Sequence, residues 1–284
     1  MRVFVAGGTG VIGRSLVPLL VVDGHDVTAM TRSADGGALL RSLGAQPVMA
    51  DALDRDSVLE AVVRTRPEAI IHQLTDLSAG NGATNAALRI AGTRNLIDAA
   101  HAAGVERVIA QSVAWAYAPG DEPADEQVSL DVAATEPRST TVRGVAALEF
   151  AVREVPQWIV LRYGVLYGAG TWYAPEGLRA DEARAGRLVA SEDVTSFVEV
   201  GDAALAAVQA LDWPSGAVNV CDDDPAPGIE WVPVFCAAVD APAPPRGRVG
   251  RAPWARGADN ARARQELGWT PRYVSWRDGF QIAT

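Results

Sequence analysis

Polar and apolar positions follow two rhythms along the 284 residues of this chain. Short, mostly apolar runs at Val3 to Ala6, Val27 to Met30, Val48 to Ala50, Ala69 to His72, Arg107 to Gln111 and Trp158 to Arg162 have the length of buried strands. Between them Gly10 to Leu20, Ser57 to Arg64, Ala83 to Ala103 and Thr140 to Arg153 bring apolar side chains together at intervals of three and four, the period of a helix. Gly104 is a natural C-cap for the longest of these, since glycine takes the left-handed conformation without strain. Strands that alternate with helices call for right-handed crossovers and a parallel, doubly wound α/β sheet. Residues 1–164 carry that alternation. Beyond Tyr163 it decays while Pro, Gly and Trp become frequent, so residues 165–284 read mainly as a smaller substrate-binding region, with residues 193–222 returning in part to the first domain.

The first strand runs straight into Gly7-Gly8-Thr9-Gly10-Val11-Ile12-Gly13, with glycine at every third position. Gly7 permits a tight turn and Gly10 lets backbone approach a pyrophosphate. Gly13 lets the following helix pack close to the strand, and the helix N-terminus attracts phosphate. This turn makes the predicted domain Rossmann-like and its ligand a nicotinamide dinucleotide, with Thr9, Val11 and Ile12 completing the contact. The end of the second strand reads Thr31-Arg32-Ser33, where an acidic residue would bond the adenosine ribose of NAD. A guanidinium between two hydroxyls suits a 2′-phosphate, so NADP is expected in preference to NAD. Asp51 is placed to meet the adenine amine or to cap the helix beginning near Asp54; Ala52 and Leu74 line the cofactor at the ends of the third and fourth strands.

Composition narrows the partners. A net charge of −10 leaves no basic stripe for nucleic acid or an anionic membrane. No run approaches the length of a membrane span, and Met1 to Ala6 reads as a strand, not a leader, so the expected compartment is the cytoplasm. Cys221 and Cys236 form no metal-ligand spacing, and Asp222-Asp223-Asp224-Pro225 reads as a solvated turn; no metal is expected. Arg246 to Arg264 reads as a surface loop. One absence matters chemically: all 25 of the lysine-plus-arginine side chains are arginine.

Taken with Gly92-Thr93-Arg94-Asn95-Leu96, Leu161-Arg162-Tyr163-Gly164, Phe197-Val198-Glu199-Val200-Gly201-Asp202 and Leu267-Gly268-Trp269, the dinucleotide turn resembles the extended short-chain dehydrogenase/reductase family, in its epimerase/dehydratase-like and atypical branches. The resemblance covers nearly the whole chain. It implies a nicotinamide cofactor, a C-terminal substrate region and a small-molecule substrate. It also implies a homodimer built on the long helices, here near residues 84–103 and 140–153. The family's catalytic Ser or Thr falls on Ser112. Its Tyr-x-x-x-Lys pair does not survive: counting back from Glu149, Val145 takes the lysine position and Thr141 the tyrosine position. Arg143 is no substitute, since two residues along a helix turn a side chain by about 200°. The histidine of the family's Phe-Val-His-Val is Glu199 here.

Hydride transfer belongs to the cofactor and needs only positioning, so a sufficiently electrophilic substrate remains reducible. Tyr117 and Tyr163, with Ser112, are the candidate catalytic residues; Trp115, Trp172 and Tyr173 point to an apolar or aromatic substrate. The expected activity is NADP-dependent reduction of a small or medium carbonyl or conjugated compound. Two other readings keep the cofactor: a non-redox isomerase, lyase or cyclase, and a non-catalytic NADP(H) sensor.

Overall fold

Val3, Phe4, Val5 and Ala6 are almost fully withdrawn from solvent, which requires a strand covered on both faces. The computed structural model describes residues 1–76 and 82–282 and places this strand, β1 (Arg2–Ala6), inside a seven-stranded sheet. The other strands are β2 (Asp26–Thr31), β3 (Gln46–Met49), β4 (Ala69–His72), β5 (Arg107–Val113), β6 (Gln157–Tyr163), β7 (Val165–Tyr167), β8 (Val194–Thr195), β9 (Phe197–Glu199), β10 (Gly216–Val220) and β11 (Ala226–Pro227). The helices are α1 (Val11–Val22), α2 (Ala34–Ser42), α3 (Arg55–Thr65), α4 (Gly82–Ala87), α5 (Thr93–Ala103), α6 (Arg138–Val152), α7 (Leu178–Arg184), α8 (Val200–Gln209), α9 (Gly228–Ala238) and α10 (Trp276–Ile282). The large sheet is parallel and runs β10-β6-β5-β4-β1-β2-β3. Its order reverses beside β1, with Ala6 level with Met30 on one side and His72 on the other. In such sheets ligands bind beyond the carboxyl ends of the strands at the reversal.

The predicted strands and helices of the first 164 residues all form, and two details differ. Helix α2 was not foreseen, because Gly36 and Gly37 in its first turns disfavour a helix. Ser33 caps it by accepting from the Gly36 N–H at 3.1 Å, and Gly36 lies so close to Thr31 Oγ1 that no Cβ fits there. The helix expected over Ala83 to Ala103 is interrupted: a π turn over Leu88–Gly92 separates α4 from α5. Gly104, in the left-handed conformation at φ 69°, ends α5 as expected.

The chain divides into two compact units. The first comprises Met1–Ser112, Val132–Leu161 and Ala204–Ala217, and its core joins Phe4, Ile70 and Val108 of the sheet to Val58, Leu96, Ile97 and Leu148 of the helices. The second comprises Val113–Asp131, Arg162–Ala203 and Val218–Thr284. Its core is aromatic, with Tyr167, Tyr173, Phe197, Trp231, Phe235 and Phe280 edge to face. Tyr173 is therefore a packing residue, not a free substrate contact. Among the described residues no helix is long and apolar enough to cross a membrane.

The acidic triplet is not a solvated turn. Asp222 is 1% exposed and its carboxylate accepts the Trp276 N–H at 2.7 Å, capping α10, while Asp224 accepts from Ser275 Oγ and Arg277 Nε at 2.7 and 2.8 Å. Loss of solvent pushes the Asp222 carboxyl up to about 8. The Arg246 to Arg264 stretch is a strap within the second unit: Arg251 donates to the Gly120 carbonyl at 2.8 Å and Arg256 to that of Glu122.

Candidate functional site

The turn after β1 leaves helix N–H groups open. Gly10 precedes α1 in extended conformation and gives it no side-chain cap, so the first N–H groups of the helix stay free of a side-chain capping acceptor, an arrangement that suits an anion. Gly7 sits at φ 98°, and a Cβ there would stand 2.5 Å from the Gln73 carbonyl oxygen. A Cβ on Gly13 would collide with the Gly7 and Gly8 backbone, whereas one on Gly10 would approach only the Gly7 oxygen, at 3.2 Å. The first and third glycines thus shape the cradle, and the second opens it outward. Thr9 holds it through its carbonyl, which accepts from Arg14 Nε at 3.0 Å; Val11 is exposed at the mouth and Ile12 is buried beneath. These residues fit a dinucleotide pyrophosphate.

At the end of β2 the hydroxyls of Thr31 and Ser33 both accept backbone N–H groups, from Ser33 and Gly36. Arg32 is exposed, and no acidic side chain stands among these three residues. Asp51 does not cap α3, for Asp54 does so by accepting from Asp56 and Ser57; Asp51 instead accepts the Leu53 N–H at 3.0 Å. The Ala52 carbonyl is fixed by Asn95 Nδ2 at 2.8 Å.

Beyond β4 a polar network sets the backbone. His72, 1% exposed, takes the Leu74 N–H on Nδ1 at 3.2 Å, so its proton is on Nε2, which meets Thr93 Oγ1 at 2.8 Å. The Leu74 carbonyl in turn accepts from Gln111 Nε2 at 3.1 Å. Burial, with the Arg89 charge as a lesser cause, pushes the His72 imidazole down to about 4, and it is neutral at physiological pH. Sequence reasoning missed Arg89 altogether. It lies on the π turn, 5% exposed, and π turns recur at functional sites.

Ser112, at the end of β5, donates from Oγ to Glu149 Oε1 at 2.8 Å, with both side chains buried. Glu149 thus has a direct partner that the sequence did not reveal. One turn earlier on α6 Val145 is wholly buried, and a turn before that Thr141 is half-buried. Arg143 points outward to the Glu136 carboxylate at 2.5 Å.

In the second unit the Tyr117 hydroxyl donates to Asn219 Oδ1 at 2.6 Å and accepts from Arg162 Nη1 at 2.9 Å, while the guanidinium carbon lies 4.8 Å from the ring centre. Burial pushes this phenol well above its ordinary value. Glu126 accepts the Asn219 N–H at 2.7 Å and completes a polar cluster that no local pattern along the chain announces. The Tyr163 hydroxyl donates to the Ala203 carbonyl at 3.2 Å. Glu199 accepts from the N–H groups of Gly201 and Asp202 at 2.7 and 3.1 Å and pairs with Arg272, so in place of a histidine it caps α8. Tyr117→Phe is expected to lower stability by roughly 1–3 kcal/mol, because Asn219 and Arg162 each lose a buried partner; urea denaturation reads the change. Among the described residues no group of three or more His, Cys, Asp or Glu stands close enough to hold a metal ion.

Residues 3–221 match the model of the NAD dependent epimerase/dehydratase family. The chain is 44% identical to a 3-diazoavenalumate denitrifying reductase of a Streptomyces species, over 98% of this chain and 99% of that protein. It is 26% identical to a UDP-glucose 4-epimerase of Rhizobium meliloti, over 96% and 93% of the two chains. The crystal structure of the Thermus thermophilus UDP-glucose 4-epimerase in complex with NAD superposes with a TM-score of 0.78 at 24% identity, covering 100% of this chain and 97% of that one.

Proposed function

Because the chain belongs to the NAD dependent epimerase/dehydratase family, we propose that it is a reductase whose substrate accepts hydride without taking a proton from the protein, an aryl diazonium compound foremost. It is an enzyme of the short-chain dehydrogenase/reductase type. The observation that carries the reading is the state of its hydroxyls. Ser112, Tyr117 and Tyr163 all have their protons engaged by buried partners, and the chain has no lysine to activate a tyrosine. A carbonyl that accepts hydride becomes an alkoxide and must be protonated. A diazonium carbon owes no proton: the hydride pair forms the C–H bond, the C–N pair leaves with dinitrogen, and charge balances. The relative at 44% identity is named a reductase that denitrifies a 3-diazo compound.

Bound NADPH supplies the hydride. Gly7, Thr9, Gly10, Val11, Ile12 and Gly13 hold its pyrophosphate, Asp51, Ala52 and Leu74 border its adenosine and nicotinamide halves, and Thr31, Arg32 and Ser33 meet the 2′-phosphate. In this reading Ser112 is a positioning residue held by Glu149, and Tyr117 and Tyr163 are buried structural residues of the second unit. Phenylalanine at position 117 or 163 is expected to change NADPH consumption by less than about tenfold, whereas loss of a true general acid costs roughly a hundredfold or more. A loss of that size in either variant would restore carbonyl reduction as the reading. Arg32→Ala is expected to weaken NADPH binding by about tenfold or more and leave NADH binding nearly unchanged, as titration calorimetry would show. Equal losses for both cofactors would instead favour NAD, the cofactor in the Thermus structure.

A further inference from the structure

Arg89 is 5% exposed, and among the described residues no carboxylate or hydrogen-bond acceptor meets its guanidinium. His72 is near enough to feel its charge but cannot serve as acceptor, since Nδ1 already takes the Leu74 N–H and Nε2 carries the proton given to Thr93. Burial lowers the Arg89 guanidinium to about 10, which leaves it charged at neutral pH. A buried charge without a partner is strongly unfavourable unless a counter-charge arrives.

Its position says where that charge would come from. Asn85, Arg89 and Thr93 are spaced four apart and share one helical face. Asn85 Oδ1 accepts the Asp76 N–H at 3.1 Å, and Thr93 bonds His72, so both neighbours on that face are tied to the segment leaving β4. The same segment abuts Gly7 of the dinucleotide turn at Gln73. We propose that Arg89 anchors an oxyanion subsite at the carboxyl end of β4, filled by a carboxylate of the substrate. The proposal rests on the reductase reading, in which the pyrophosphate has the α1 N-terminus and the 2′-phosphate has Arg32. A third anion is then the substrate's own. The planar guanidinium matches a carboxylate in bidentate fashion.

The test is calorimetric binding of benzoate and benzamide to the protein loaded with NADP+. Benzoate is expected to bind saturably and about tenfold or more tighter than benzamide, and Arg89→Met to erase that preference. The NADPH dissociation constant of the Met variant should stay within about threefold of wild type. Its ligand-free Tm should rise by several degrees, because a shape-matched apolar chain replaces an uncompensated charge. Arg89→Lys, which keeps the charge and loses the fork, should fall between. A benzoate preference that survives in the Met variant would overturn the proposal, as would a fall in Tm, which would reveal a counter-ion within the protein. A tenfold loss of NADPH affinity with no benzoate preference in the wild type would assign the oxyanion to the cofactor and likewise overturn it. Binding is read without turnover, so failure of the reductase reading leaves these outcomes distinct.

Discussion

Gly7→Ala is expected to abolish dinucleotide binding and to destabilise the fold at once. Gly7 sits at φ 98°, where a Cβ is strained, and that Cβ would stand 2.5 Å from the Gln73 carbonyl oxygen and 2.6 Å from its carbon. Both are backbone atoms of the segment following β4, so no side-chain rotation relieves the contact. Strain of this kind costs about 1–3 kcal/mol by itself, and the collision adds to it. Since each 1.4 kcal/mol is about tenfold in affinity, a binding loss of roughly a hundredfold or more follows from a displaced cradle. Gly10→Ala separates the two effects. Its Cβ meets only the Gly7 oxygen, at 3.2 Å, so the urea midpoint should stay close to wild type. The added methyl group occupies the space in front of the open α1 N-terminus, and NADPH affinity should fall by about tenfold or more. Wild-type NADPH binding by Gly10→Ala would mean that the turn is structural and holds no pyrophosphate.

The second large effect is on stability against pH. His72 is neutral in the fold with a pKa near 4, while an unfolded histidine titrates near 6.5. Between those values the unfolded chain binds a proton that the folded chain refuses, so stability is complete above pH 6.5 and falls as the pH drops through 4. The difference amounts to about 3 kcal/mol at the acid end. Protonation would place a second N–H on Nδ1 against the Leu74 N–H and a positive charge beside Arg89. Urea denaturation of wild type and His72→Gln at pH 7 and pH 4 isolates this contribution, because titrations elsewhere cancel in the double difference. The stability advantage of the wild type should shrink by about 3 kcal/mol at pH 4. A constant advantage would show that His72 takes up its proton as easily in the fold as outside it.

The parts legible in the sequence are those fixed by neighbours along the chain. Val3 to Ala6 and the glycines after it are local, and their burial and backbone follow from residue type. Helix α2 was hidden because what holds it in place, Thr31 and the Ser33 cap, outweighs two glycines only once β2 is folded beside it. The π turn was hidden because an extra residue in one turn leaves the apolar spacing almost intact. Asp222 looked solvated because its partner, the Trp276 N–H, lies 54 positions away. Ser112 and Glu149 were each singled out for a different reason, and only folding brings them within 2.8 Å. Arg89 did leave a signal: a charged residue four positions from Asn85 and from Thr93, on the face that α4 and α5 turn inward. That pattern reads as a break in amphipathicity until the missing partner is visible.

Hydride delivery to a group that needs no proton from the protein is the central claim. It is tested most directly by measuring NADPH oxidation and dinitrogen release together, with 4-carboxybenzenediazonium as substrate and 4-acetylbenzoate as the matched ketone. The expected result is one dinitrogen per NADPH oxidised, above the enzyme-free rate, with ketone turnover slower by roughly a hundredfold or more. Ketone turnover as fast as diazonium turnover, or dinitrogen release without NADPH oxidation, would contradict it.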